Sequence, residues 1–226
     1  MYWLSIEKES KRIVTVTTVC LLLAMAAFPC FEPIVSIAAT SIFSVRQQIT
    51  GEISFLVPPT NITMNGALAG ITGGNATGST YAVVQTNQAT GYTMDISFEN
   101  SPAMLGDITG STAIRNYGSS TEPTFGFFAS TSAVFAYTVS ASTTSDLDQS
   151  FLNNGSACNA GAGYTANTCW QGPTSTSNYR IISRSSAASN GATTTLTFKV
   201  NVPLNPSPAL QSDFYTATAT LTALTQ

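Results

Sequence analysis

The chain has 226 residues, of which 43% are hydrophobic but only 8% charged, with a net charge of -3 and no histidine. Without a basic cluster it has little with which to neutralise phosphates, which excludes nucleic acid as a partner. Without histidine it lacks the commonest general base near neutral pH and the commonest metal ligand. Polarity comes instead from Ser, Thr, Asn and Gln, short side chains that suit strands and turns and make poor helix interiors.

At the start, Lys8, Lys11 and Arg12 precede an apolar run over 13–31, and Ser36 and Ala38 supply a small-x-small exit. That order describes a secretory signal peptide over 1–38, cleaved after Ala38. A retained signal anchor is the alternative, because the run approaches the ~20 residues that span a bilayer. A membrane is therefore a partner only if this segment is kept. The remaining residues, 39–226, suit one domain with a sizeable core.

After the leader, 44–50 is a candidate strand, and Ile53, Phe55 and Val57 alternate in a clearer one that Pro58 and Pro59 end. Proline cannot donate to a ladder, so this strand belongs at an edge. The glycine-rich stretch 66–78 reads mainly as connection. A strand follows over 79–86, then a turn over 87–91. Next, Tyr92, Met94, Ile96 and Phe98 alternate with polar residues, so the pair reads as a hairpin. Asp95 and Glu99 share the polar face roughly 13 Å apart, wider than either glycosidase arrangement. They read as solvated charge.

Phe125, Phe127 and Phe128 form an aromatic segment, and Phe135, Tyr137, Val139 and Ala141 alternate in the strand after it. Residues 145–153 offer a short helix capped by Ser145, with Asp146 and Asp148 near its start. Those two aspartates have the spacing of a calcium loop but lack its other ligands. Residues 154–173 are loop, and Asn61, Asn75 and Asn154 each open an Asn-x-Ser/Thr sequon. Residues 179–183 form a further strand. The end of the chain alternates most cleanly, first over 192–202 and then from Tyr215 through Ala217, Ala219, Leu221 and Ala223. Lys199 lies midway along a polar strand face, as a solvated charge does.

Seven or more strands between Gly, Pro and Asn turns bury their apolar faces most economically as two packed sheets. The expected fold is therefore all-β, an antiparallel β-sandwich of immunoglobulin-like or jelly-roll-like form, with a barrel as the alternative. No nucleophile elbow, phosphate loop or dinucleotide loop is present, so neither a reaction, a cofactor nor a metal site is expected. Cys158 and Cys169 are the only cysteines beyond the leader. Export permits a disulfide between them, pinning a loop that carries Tyr164, with Trp170 just beyond. These two rings are the candidate ligand or partner contacts.

The leader, the Gly91-Tyr92-Thr93 strand start and the closing Tyr-Thr-rich strand from Tyr215 to Ala223 resemble secreted β-sandwich proteins of bacterial envelopes. WxL-type cell-wall proteins and coat-protein-U-like pilus subunits are the families meant. The Trp-x-Leu motif itself is absent, since Gln171 and Gly172 follow Trp170. The resemblance implies a non-catalytic structural or adhesive role, secreted or at the cell surface, with envelope components or self-association as partners. A carbohydrate- or small-ligand-binding module is the alternative, carried by exposed aromatics among Phe125–Phe128, Tyr164 and Trp170.

Overall fold

The computed structural model describes residues 40–108, 110–118, 122–128, 131–174 and 177–226; the leader expected over 1–38 lies outside them. The chain divides into two units, residues 1–48 and 49–226. In the first, residues 40–48 carry no regular secondary structure and are exposed. The candidate strand over 44–50 is therefore not formed, although its apolar side chains are those of a strand.

The second unit is all-β, built from two packed sheets. The larger sheet contains β1 (Ile53–Val57), β2 (Leu68–Ala69), β3 (Gly73–Thr86), β5 (Met104–Gly106), β6 (Ala113–Asn116), β8 (Val134–Ala141), β11 (Ala188–Val202) and β12 (Tyr215–Thr216). Their order is β1-β3-β11-β8-β6-β5-β12, with β2 also on β3, and only β6 and β8 run parallel. The smaller sheet is β10 (Tyr179–Arg184), β4 (Tyr92–Phe98) and β13 (Ala219–Thr225), in that order. A two-stranded ribbon pairs β7 (Thr124–Phe125) with β9 (Cys169–Trp170).

The alternation read from the sequence sets the core. Leu196, Phe198, Val200 and Val202 of β11 and Tyr92, Met94, Ile96 and Phe98 of β4 are all buried. Between them the rings of Phe98 and Phe135 meet edge-on at 6.1 Å, and Phe135 stacks on Phe198 at 5.9 Å. Such pairs add roughly 0.5–1.5 kcal/mol beyond their area burial.

Three expectations about the sheets are corrected. First, the glycine-rich stretch is strand: β3 starts at Gly73 and pairs with β11 from Gly74 through Thr86. Glycine is needed there because residues 65–69 approach closely. A Cβ on Gly74, at φ +144°, would lie 2.2 Å from the carbonyl oxygen of Ala67. Second, β3 and β4 form no hairpin. Residues 87–91 carry the chain from one sheet to the other, so both apolar faces point at the same core. Third, the alternating end of the chain is two strands in different sheets. Tyr215 pairs with Gly106 in the larger sheet, while Ala219 pairs with Phe98 in the smaller. A period of two survives a change of partner, which is why it conceals one.

The short helix expected over 145–153 is two single 3-10 turns, Thr144–Asp146 and Gln149–Phe151. Asp148 caps the second by accepting from the Ser150 amide at 3.1 Å; Ser145 caps neither.

Candidate functional site

The smaller sheet has two edge strands, β10 and β13, and the candidate sites lie beside them. Next to β10, the chain after β8 closes the sandwich. Leu147 bridges to Ile182, and the Asp148 amide donates to the carbonyl of Ile181 at 3.0 Å. Phe151 is fully buried, 6.2 Å from the Tyr137 ring and 6.0 Å from that of Tyr179. The following loop folds around Asn153, which exchanges backbone hydrogen bonds with Gly163 at 2.7 and 3.0 Å. Its side-chain oxygen also accepts from the Gly155 amide at 3.0 Å.

The expected disulfide between Cys158 and Cys169 is formed, with Cα atoms 5.9 Å apart. Cys169 is buried in β9, and the next residue but one, Gln171, exchanges two 2.8 Å backbone bonds with Tyr137 of β8. The bond therefore ties the loop to the larger sheet. Tyr164, within the loop, is half-buried; burial raises its phenol above the usual value, and a hydrogen bond with Ser140 opposes that rise. Trp170 is 4% exposed and donates from Nε1 to the Asn167 carbonyl at 2.8 Å. Trp170 therefore offers no open face of the kind a sugar platform uses, while Tyr164 is covered only in part.

Trp170 instead belongs to a cluster on the outer face of the larger sheet. Tyr117 stacks on Phe127 at 4.6 Å, and Phe127 meets Trp170 edge-on at 5.3 Å. The Lys199 ammonium sits 4.6 Å from the Phe127 centroid and 5.6 Å from that of Trp170. Lys199 is thus no ordinary solvated charge. It neighbours Ala136 in register, and the rings above it help bury the outward residues of β8, which is buried on both faces over 134–139. Cation–π contacts of this kind contribute ~0.5–2 kcal/mol.

Two of the carboxylates considered for chemistry are held in ion pairs. Asp95 pairs with Arg180 across the β4–β10 ladder, and buried Asp146 pairs with Arg184. Tyr92 lies near that second pair. Burial, reinforced by the Asp146 charge, pushes its phenol up to about 12 despite the opposing Arg184 charge and a hydrogen bond with Thr194. Among the described residues, no group of three or more His, Cys, Asp or Glu could hold a metal ion. Two sequon side chains are also occupied: Asn75 Oδ1 accepts from Asn201 at 2.7 Å, and Asn154 Oδ1 from the amides of Ser156 and Ala157. Nothing among protein-family models, curated proteins or solved structures matches this chain.

At the other edge, no strand among the described residues pairs beyond β13 in its sheet, and β1 of the larger sheet lies close beside it. The Glu99 amide donates to Thr218 and the Gln226 amide to Gly91, and the register between those bonds is unbroken. In an antiparallel ladder only alternate residues face the partner. Thr220, Thr222 and Leu224 therefore bond to β4, while the backbone groups of Ala219, Leu221, Ala223 and Thr225 point outward. Leu221 and Ala223 are only half-buried, although their partners Ile96 and Met94 are sealed. Opposite them, Ile53 and Phe55 of β1 are half-buried too, and so are Ile62 and Met64. The core thins out along this side.

Asn87, which nothing in the sequence singled out, acts beside this edge. Its side-chain oxygen accepts from the Glu52 amide at 2.7 Å, and its Nδ2 donates to the Thr50 carbonyl at 3.1 Å. One amide side chain thus pairs with Thr50 and Glu52 as another strand would. The signal available was the position: an Asn directly after β3, opposite the residues that enter β1.

Proposed function

We propose that this protein is a non-catalytic structural or adhesive component of the cell envelope, secreted or held at the cell surface, acting through self-association or contact with envelope components. The observation that supports it best is the β13 edge, which pairs with no further strand among the described residues and lies beside half-buried apolar side chains, since an unpaired edge is a ready template for another chain. The disulfide suits an oxidising compartment, and the basic-apolar-small order of residues 1–38 suits export. The carbohydrate-binding alternative rests on exposed aromatics among Phe125–Phe128, Tyr164 and Trp170; Trp170 is buried and Tyr164 half-buried, whereas Phe128 is 63% exposed. Fractionation and electron microscopy of cells producing the protein test the proposal. Fibres, sheets or retention in the wall fraction are expected; a strictly soluble monomer with no wall binding overturns it.

A further inference from the structure

One bond of the chain is laid out as a protease substrate. Beyond the leader expected over 1–38, Arg46 is the first basic residue, and the next is Arg115. Residues 40–52 are exposed throughout and carry no regular secondary structure, with six residues of that stretch on either side of Arg46. Such a stretch can be drawn extended into a peptidase cleft, whereas a paired strand must first leave its ladder. Gln47 follows Arg46, so no proline rigidifies the bond, and residues 40–51 contain no Asp or Glu. A guanidinium without a neighbouring carboxylate suits the acidic pocket with which trypsin-like enzymes hold this side chain. We propose that the Arg46–Gln47 peptide bond is a processing site for an arginine-specific endopeptidase, and that its hydrolysis releases the sandwich intact from the residues before it. The cut would convert the surface-held form proposed above into the secreted one, and in that respect it rests on that reading.

The other basic residues of the described chain show why the cut is single. Arg115 lies in β6, between β5 and β8, and its amide donates to the Ala133 carbonyl at 3.2 Å. Arg180 and Arg184 lie in β10, paired with β4, and their side chains are held by Asp95 and Asp146. Lys199 lies in β11 between β3 and β8, with its ammonium against the rings of Phe127 and Trp170. These four bonds reach a protease only after strands separate, an opening that draws on the stability of the sandwich. The bond after Arg46 needs no such opening. It lies just before the boundary between the units 1–48 and 49–226. Thr50 and Glu52 therefore keep their bonds to Asn87 in the released fragment. Water alone is the co-reactant: the Arg46 carbonyl becomes a carboxylate, and the Gln47 nitrogen leaves as an amine.

Trypsin is the probe, applied briefly to intact cells producing the full-length chain and to protein recovered from them. Wild type is expected to yield one early fragment, residues 47–226 by intact mass, with its far-ultraviolet β signal unchanged. The surface-held fraction should pass into the medium at the same rate. Arg46→Gln should slow both events at least tenfold, and Arg46→Lys should restore them, because trypsin accepts either cation. Without added trypsin, the medium of the producing cells should contain a form that begins at Gln47, and Arg46→Gln should abolish it. A first cut after Arg115, Arg180, Arg184 or Lys199 overturns the inference, as do equal rates for Arg46→Gln and wild type. Loss of the β signal from the 47–226 fragment overturns it too, as does absence of the Gln47 form from that medium. If that form is present but neither it nor the uncut chain associates with itself or with the wall, the proposed function falls and this inference stands.

Discussion

The two edges of the smaller sheet solve the same problem differently. Along β10, Ile181 and Ile182 are fully buried, and the segment of the two 3-10 turns bonds to both through Leu147 and Asp148. Along β13, Leu224 is 55% exposed and Leu221 only half-buried, and no strand among the described residues pairs beyond it in its sheet. Both edges carry apolar side chains toward the core, so composition does not separate them. The difference lies in the neighbouring chain: a long loop with a covalent tie precedes β10, whereas β13 has only the half-buried edge strand β1 of the larger sheet beside it. An edge stays open unless some other segment is long enough to lie across it.

The largest effect should come from the sealed side. Phe151→Ala removes a fully buried ring between Tyr137 and Tyr179 and is expected to cost about 3–5 kcal/mol in denaturant unfolding. A loss under about 1 kcal/mol would mean that the turn is not part of the core. Next comes the tie itself. Replacing Cys158 and Cys169 together by Ala opens a ring closed over a separation of 11 residues, for which loop-closure entropy gives about 3 kcal/mol. Limited proteolysis should then cut within 154–168 while the sandwich keeps its β signal; resistance equal to wild type would show that the Asn153 hydrogen bonds hold the loop without the disulfide. The smallest effect belongs to the β13 side. Leu221→Ala on unassembled protein should cost ~1 kcal/mol or less, because much of that side chain already meets water. A loss matching Phe151→Ala would make β13 a core strand and erase the contrast.

Much of the sandwich was legible because its strands are half-buried, and a period of two records that directly. The alternation in 192–202 and 92–98 needed only side-chain polarity to be read. Pairing was not legible, since an inward-facing residue looks the same in either sheet; hence the missing hairpin between β3 and β4 and the hidden break at Ala217 and Thr218. The glycines from 66 to 78 misled for a related reason. They reflect how closely residues 65–69 approach β3, a long-range fact with no local signature. At the candidate site, the Cys158–Cys169 bond followed from cysteine scarcity. Lys199 did not follow, because the rings that hold it come from residues 127 and 170, far away in sequence. The strand-like pattern of 44–50 was visible, but only the structure shows that these side chains stand exposed.

The Asn87 contacts also bear on mechanics. Because Asn87 holds Thr50 and Glu52 in the extended entry to β1, a pull applied at Thr50 is passed along β1 itself. Ladder hydrogen bonds run perpendicular to the strands, so a pull along β1 shears the β1–β3 bonds together instead of peeling them one after another. The bulge between Phe55 and Val57 further obstructs sliding of one strand past the other. Under such loading, persistence is governed by the unfolding rate and not by equilibrium stability. Tension applied at Thr50 is then resisted first by the two Asn87 hydrogen bonds and next by the β1–β3 ladder as a whole.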